Sequence, residues 1–153
     1  MNMTTSVPPW VSLVGDPGLA PNRATLPKLQ TAADVALLLA PTFDASEVEL
    51  FVVLALDRQN RPIHRQVVSM GTVDTTLVHP REVFRAALIA GAASIIVAHN
   101  HPSGDPTSSV EDRAITRQLR EAGRVLDVPL LDHLIYGGPD SYTSLAAEMH
   151  LSG

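Results

Sequence analysis

The stretch His99-Asn100-His101-Pro102-Ser103-Gly104-Asp105, followed by Ser109 and Asp112, constrains this chain more than any other part of it. The two histidines close an apolar run, Ala92 to Ala98, that reads as a buried strand. Side chains at i and i+2 of a strand point to one side, so the two imidazoles share a face. Ser103 to Pro106 is turn material. Past the turn, Ser108 and Ser109 are N-cap candidates, and a helix is predicted from Val110 to about Arg124–Leu126. Residues three apart on a helix are neighbours, so Ser109 and Asp112 point together from its first turn toward the strand end.

Two neutral imidazoles on one side suit zinc, and a carboxylate can complete a three-ligand set. Three protein ligands leave a fourth position for water, which is the catalytic arrangement. The chain has no cysteine, so disulfides and thiolate metal sites are excluded and any ligands are His and carboxylate. Simpler readings exist for each half. A histidine pair can be polar side chains at a sheet edge. Ser108-x-x-Glu111 and Ser109-x-x-Asp112 both have the form of a capping box, which would make Asp112 only a helix-start acid. Both halves joined through one Gly/Pro turn favour the metal reading.

A chain of 153 residues suits one domain with a real core. A hydrophobic share of 45% with 18% charged residues reads as globular. The formal charge of −5 argues against general nucleic-acid affinity, which needs a basic footprint. No basic-then-apolar leader is evident and no apolar run is long enough to span a bilayer, so neither secretion nor a membrane partner is expected. The lack of cysteine fits a reducing cytoplasm.

Residues 1–27, rich in Pro, Gly, Ser and Asn and without periodicity, read as an N-terminal tail, with Trp10 as a residue to tuck onto the domain at 28–153. Thr31 looks like the cap of a helix over Ala32–Leu39, ended by Pro41. Glu49–Leu56 and Ile63–Met70 read as a hairpin around a polar turn at Asp57–Arg61. A short strand is predicted at Thr75–Val78, a helix from Pro80 to about Ala90, a strand at Val128–Tyr136 and a terminal helix at Ser141–Met149. Helices interleave with strands, but the hairpin makes the sheet mixed, an α/β arrangement.

On the helix after the motif, Ile115, Leu119, Ala122 and Leu126 share a face at about 100° per residue, and Asp112 borders it. A carboxylate on that border can reach a metal at the sheet. Arg113, Arg117, Arg120 and Arg124 line the opposite side, as a solvated face or as a docking surface for an acidic partner. His133, after Asp132 in a strand, is either a partner for a ligating histidine or a structural histidine.

His-x-His, seven residues, Ser, two residues, Asp is the JAMM pattern. With "VHPREVFRAAL" (Val78–Leu88), "AHNHPSGDPTSS" (Ala98–Ser109) and "LLDHLIYG" (Leu130–Gly137), the chain resembles the RadC-like branch of the JAB1/MPN metalloprotease superfamily from about Thr31 to Ala147. The resemblance implies the MPN fold, a curved mixed sheet flanked by helices. It implies one zinc per chain held by His99, His101 and Asp112, with Ser109 supporting the oxyanion and Glu49, in "VELFVVLALD", as general base. The implied activity is zinc-dependent hydrolysis of peptide or isopeptide bonds, on a peptide or protein substrate that includes ubiquitin-like tails. The alternative is a DNA-repair-associated factor or a metal-dependent nuclease; an inactive scaffold ranks last because every expected ligand type is present. The chain departs from the family in two places. It is too short for the helix-hairpin-helix region RadC proteins often carry before this domain, and Ser108 replaces a common proline, which should loosen the turn.

Overall fold

The computed structural model describes residues 26–71 and 78–150. Its centre is a five-stranded sheet, and the element order follows the alternation of period in the sequence. Helix α1 (Ala32–Asp44) precedes a hairpin of β1 (Leu50–Leu56) and β2 (Pro62–Met70). Helix α2 (Pro80–Ile89), β3 (Ser94–Asn100), α3 (Val110–Leu126) and β4 (Leu130–Gly138) follow. The described chain closes with β5 (Ser141–Ser144) and the short α4 (Leu145–Met149).

The strand order is β2-β1-β3-β4-β5. Only β3 and β4 run parallel, joined through α3; the other pairs are antiparallel. The sheet is therefore mixed, as the sequence predicts. β1 and β3 occupy its middle and are buried along their whole length, which explains their unbroken apolar runs. Alternate residues go to opposite faces. Leu50, Val52, Leu54, Ile96 and Ala98 pack under α1 with Val35, Leu39 and Phe43. Phe51, Val53, Ile95 and Val97 pack under α2 and α3 with Val83, Phe84, Ile115 and Leu119. The α3 helix approaches the chain closely at Gly123, where a Cβ would sit 2.6 Å from the Val128 carbonyl oxygen. Among the described residues no helix is long and apolar enough to cross a membrane.

Two predicted boundaries change. Helix α1 does not stop at Pro41 but continues through it to Asp44. A helical proline removes one backbone bond and strains the turn before it. Here the last turn is held from outside: the Phe43 ring lies 5.2 Å from that of Tyr136, and the Tyr136 hydroxyl donates to Asp44 Oδ1 at 2.9 Å. The terminal segment is not one helix from Ser141. Residues 141–144 first pair with β4 as an edge strand, after the Gly-Gly-Pro-Asp turn, and only then does α4 begin. Most of the strand predicted at Thr75–Val78 lies outside the described residues, as do Trp10 and nearly all of the predicted tail. Leu26 and Leu29 are already buried.

Candidate metal centre

The site lies where β3 ends, on the α3 face of the sheet. His99 is the penultimate residue of β3 and is 1% exposed, with the Phe51 ring stacked over it at 5.9 Å and 8° between planes. His101 follows the strand, its N–H bonded to the Tyr136 carbonyl at 2.8 Å. The turn after it is closed by a bond from Gly104 N–H to the His101 carbonyl, with Gly104 at φ +86°, a left-handed conformation that favours glycine. This turn lies directly on β4: a Cβ at Gly137 would meet Gly104 O at 2.5 Å. The loop then feeds α3, whose N-cap is Ser109.

His99, His101 and Asp112 come together there, each offering one ligand atom within 4.8 Å of the others. His99 Nε2 is 3.1 Å from His101 Nε2 and 3.2 Å from Asp112 Oδ1, and His101 Nε2 is 3.7 Å from Asp112 Oδ2. Zinc bonds of about 2.0–2.1 Å in tetrahedral geometry put neighbouring ligand atoms roughly 3.3–3.4 Å apart. The observed triangle has that size.

The protons around the triangle follow from its neighbours. The Thr116 hydroxyl donates its one hydrogen to the Asp112 carbonyl at 2.6 Å. It must therefore accept from His133 Nδ1, 2.6 Å away. Burial pushes the fully enclosed His133 ring well below the ordinary imidazole range, and the positive potential of His99 adds to this. A neutral His133 protonated on Nδ1 has an Nε2 lone pair, which accepts from His99 Nδ1 at 2.8 Å. That bond fixes the His99 tautomer and leaves its Nε2 as a lone pair facing the triangle. His101 reaches the same state separately, because its Nδ1 lies 2.8 Å from the Asp105 carbonyl, a pure acceptor. Three acceptors thus converge with no hydrogen of their own between them. Such a set is repulsive unless a proton or a cation sits among them, and the donor set suits a divalent metal of zinc's preferences.

Asp112 serves two purposes. It completes a capping box in which Ser109 N–H donates to Oδ2 at 2.9 Å and Ser109 Oγ accepts from Asp112 N–H at 3.0 Å. The simpler helix-cap reading is therefore true of this residue, and Oδ1 still faces His99. Burial alone would raise the Asp112 carboxyl. Positive charge on the His99 side of the triangle, with the bonds from the Ser109 backbone and hydroxyl, outweighs it and holds the group well below the usual carboxylate range. Ser109 sits at the triangle's edge as the cap, and a hydroxyl that accepts one bond keeps its own hydrogen to donate.

Glu49 lies just before β1. Its carbonyl accepts from Gly71 N–H at 2.9 Å, so the ladder with β2 continues through it. The pairing Phe51↔His99 in the antiparallel β1/β3 register, carried on by two residues, sets Glu49 opposite His101. Glu49 shares parity with Phe51 and hence the face of His99. His99, His101, Asp112 and its cap Ser109 thus gather at one strand end, and the register sets the Glu49 backbone beside it.

Several contributors were missed by reading the sequence alone. Thr116 stands one turn after Asp112, a hydroxyl on an otherwise apolar face, and that spacing is the signal that would have found it. Asn100, between the two histidines, points to the opposite face of the sheet. Edge strand β5, unpredicted, steadies the motif loop through Thr143 Oγ1, which donates to the Pro106 carbonyl at 2.7 Å. Ser108 does not leave the turn loose: its hydroxyl donates to Glu148 Oε2 at 2.8 Å and accepts from Arg113 Nη1 at 2.8 Å. Arg113 consequently leaves the predicted arginine stripe, and Arg124 is paired with Glu121 at 2.6 Å. Arg117 and Arg120 remain exposed on that face.

Comparison with known proteins agrees with this geometry. A family model for the RadC-like JAB domain matches residues 29–151. A UPF0758 protein of Methanococcoides burtonii is 44% identical over 125 residues, covering 82% of this chain and 54% of that protein. UPF0758 protein STH371 of Symbiobacterium thermophilum is 49% identical over 115 residues, 75% of this chain and 49% of its own length. A mixed α/β sheet ending in a His-His-Asp triangle is the architecture of a JAB/MPN domain, in a superfamily of metal-dependent hydrolases. The chain belongs to the RadC-like JAB domain family and spans about half the length of the curated relatives it matches.

Proposed function

We propose that the chain is a zinc-dependent hydrolase of peptide or isopeptide bonds. The observation that carries this reading is the convergence of His99 Nε2, His101 Nε2 and an Asp112 oxygen as three lone-pair donors of tetrahedral spacing, with both imidazole tautomers set from behind. His99, His101 and Asp112 would hold the zinc, which when bound would supply a water acidic enough to ionise near neutral pH and a Lewis acid for the scissile carbonyl. Glu49, across from His101, takes the proton of the attacking water and returns it to the leaving amine. The Ser109 hydroxyl donates to the oxyanion as it develops, while its lone pair keeps the helix capped. The Phe51 ring over His99 excludes water from one side of the centre.

A single metal with one carboxylate base suits amide hydrolysis better than a two-metal phosphodiester site. The DNA-directed alternative draws on exposed Arg117 and Arg120. The net charge of −5 weighs against it. We read the substrate as a peptide or protein, ubiquitin-like tails among them, and the working compartment as the cytoplasm, on the lack of cysteine. The test is to load the purified protein with zinc and offer it an internally quenched decapeptide library, a lysine ε-linked isopeptide, and single- and double-stranded DNA. Amide cleavage that disappears in His99→Ala and Glu49→Gln is the expected result. DNA cleavage without amide cleavage would replace this reading with the nuclease.

A further inference from the structure

Asn100 is 3% exposed and sits between two histidines as the last residue of the central strand β3. Its side chain points to the α1 face, away from the triangle, so it is no ligand. A carboxamide buried there needs partners for both ends. It finds them on the neighbouring strand: Asn100 Oδ1 accepts from Leu50 N–H at 2.7 Å, and Asn100 Nδ2 donates to the Val48 carbonyl at 3.1 Å. These two backbone groups flank Glu49 on either side. Ladder bonds between β1 and β3 begin at the Phe51↔His99 level, so beyond it this side chain replaces the backbone pairing.

We propose that Asn100 is a positioning residue that clamps the backbone around Glu49 and so holds its carboxylate at the histidine centre. The proposal rests on the hydrolase reading for the role of Glu49. The placement has a physical logic. Glu49 comes from a segment remote in sequence and lies just before β1, where its carbonyl is tied to β2 on one side and the Asn100 side chain ties the flanking backbone to β3 on the other. The residue that fixes it is rigidly joined to both His99 and His101. Two of the three ligands and the base are thereby set by one three-residue unit, with alternate side chains serving opposite faces. A base misplaced by about 1 Å loses on the order of 10²-fold in rate.

The experiment compares wild type with Asn100→Ala and Asn100→Asp. Zinc is titrated into each 15N-labelled protein, and the Leu50 amide is followed by hydrogen exchange. In wild type, the Glu49 amide resonance should respond to zinc and Leu50 should be protected. In Asn100→Ala, Leu50 protection should fall and the Glu49 response should collapse, while zinc still binds one to one and still shifts His99, His101 and Asp112. On a quenched peptide taken from the library, kcat should fall about 10²-fold with KM unchanged. In a Glu49→Gln background, Asn100→Ala should cause no further loss, because it acts through that carboxylate. An unaltered Glu49 response, or a loss of kcat that multiplies with Glu49→Gln, would overturn the clamp. So would lost zinc binding in the folded variant, which would make Asn100 a support of the ligands. If Asn100→Ala does not fold, Asn100→Asp decides. It keeps the acceptor for Leu50 and lacks the donor for Val48, so it should retain Leu50 protection with a smaller fall in kcat; wild-type kcat and spectra in it would overturn the proposal. Should no peptide be cleaved by any form, the hydrolase reading fails while the zinc titration still decides the clamp.

Discussion

Among the described residues the same helix-start device occurs twice, and one copy belongs to the candidate metal centre. At α1, Thr31 Oγ1 accepts from Asp34 N–H at 3.2 Å and Asp34 Oδ2 accepts from Thr31 N–H at 2.9 Å. At α3, Ser109 and Asp112 make the same reciprocal pair. The difference lies in the second carboxylate oxygen and in what surrounds it. Both Asp34 bonds, from Thr31 and from Gln30, fall on Oδ2, and the group sits at the surface. Asp112 is buried, with Oδ1 aimed at a histidine whose tautomer is fixed. A capping box satisfies one carboxylate oxygen at the helix start. Whether the other oxygen becomes a ligand depends on what the preceding chain brings opposite it.

The largest contrast should come from deleting each acid. Asp112→Ala should abolish one-to-one zinc binding and all turnover, whereas Asp34→Ala should leave both intact and only destabilise α1 by about 1 kcal/mol, the usual cost of a lost cap. Metal analysis after dialysis, beside thermal melts, reads both. Zinc retained in Asp112→Ala would make the two boxes equivalent and the triangle a polar cluster.

The capping hydroxyls sharpen the same comparison. Thr31→Ala and Ser109→Ala should each lose roughly 0.5–2 kcal/mol of stability. Only Ser109→Ala should also lower kcat, by about 10²–10³-fold, with zinc content unchanged. Normal kcat in a destabilised Ser109→Ala would reduce Ser109 to a cap like Thr31.

This pairing also shows what was legible in the sequence. Spacing and type alone identify both boxes, the strand before the second, and the histidines on one face, because each is a local pattern with a fixed period. The mixed sheet followed from the early hairpin. What escaped was decided by distant contacts. Pro41 reads as a helix end, yet Tyr136, remote in sequence, holds the turn beyond it. Residues 141–144 are too few to show a period and become a strand only because β4 offers an open edge. Asn100 carries its partners on a strand fifty residues back, as its bond to Leu50 spans 50 positions. His133 could be suspected of supporting a ligand, but its direction of donation needed Thr116 and the Asp112 carbonyl in view.

A smaller effect is expected behind the ligands. Thr116→Val removes the acceptor that holds His133, and His133→Leu removes the acceptor that holds His99. Partners of metal-bound histidines are typically worth about 10–100-fold in affinity. Competition with a chromophoric chelator should show zinc dissociation constants raised by that factor in both variants, and little altered by Thr31→Ala. Unchanged affinity in Thr116→Val would mean that packing alone orients His99.

The smallest predicted difference is in acid. Bonds from the Gln30 and Thr31 backbone hold the Asp34 carboxyl below the ordinary aspartate value. A carboxyl lowered on folding contributes stability that is present above its unfolded pKa and is lost as pH falls through the folded one. Asp34 should thus help α1 at pH 5, and that help should begin to fade as pH drops below about 4 and be lost as pH falls through its lower folded pKa. At an exposed position, solvent and salt screen most of that contribution. His133 follows the same proton bookkeeping higher up the scale. Its folded pKa is depressed, so the unfolded chain binds the proton first, and metal-free stability should decline as pH falls below about 6.5, with a slope of up to roughly 1.4 kcal/mol per pH unit. Urea midpoints of the metal-free protein between pH 7 and pH 3 should therefore fall in two stages. His133→Gln should flatten the upper stage, and Asp34→Asn should shift only the lower one, slightly. If Asp34→Asn altered the upper stage, the two helix starts would be coupled through the sheet, and the surface box could no longer serve as the plain counterpart of the buried one.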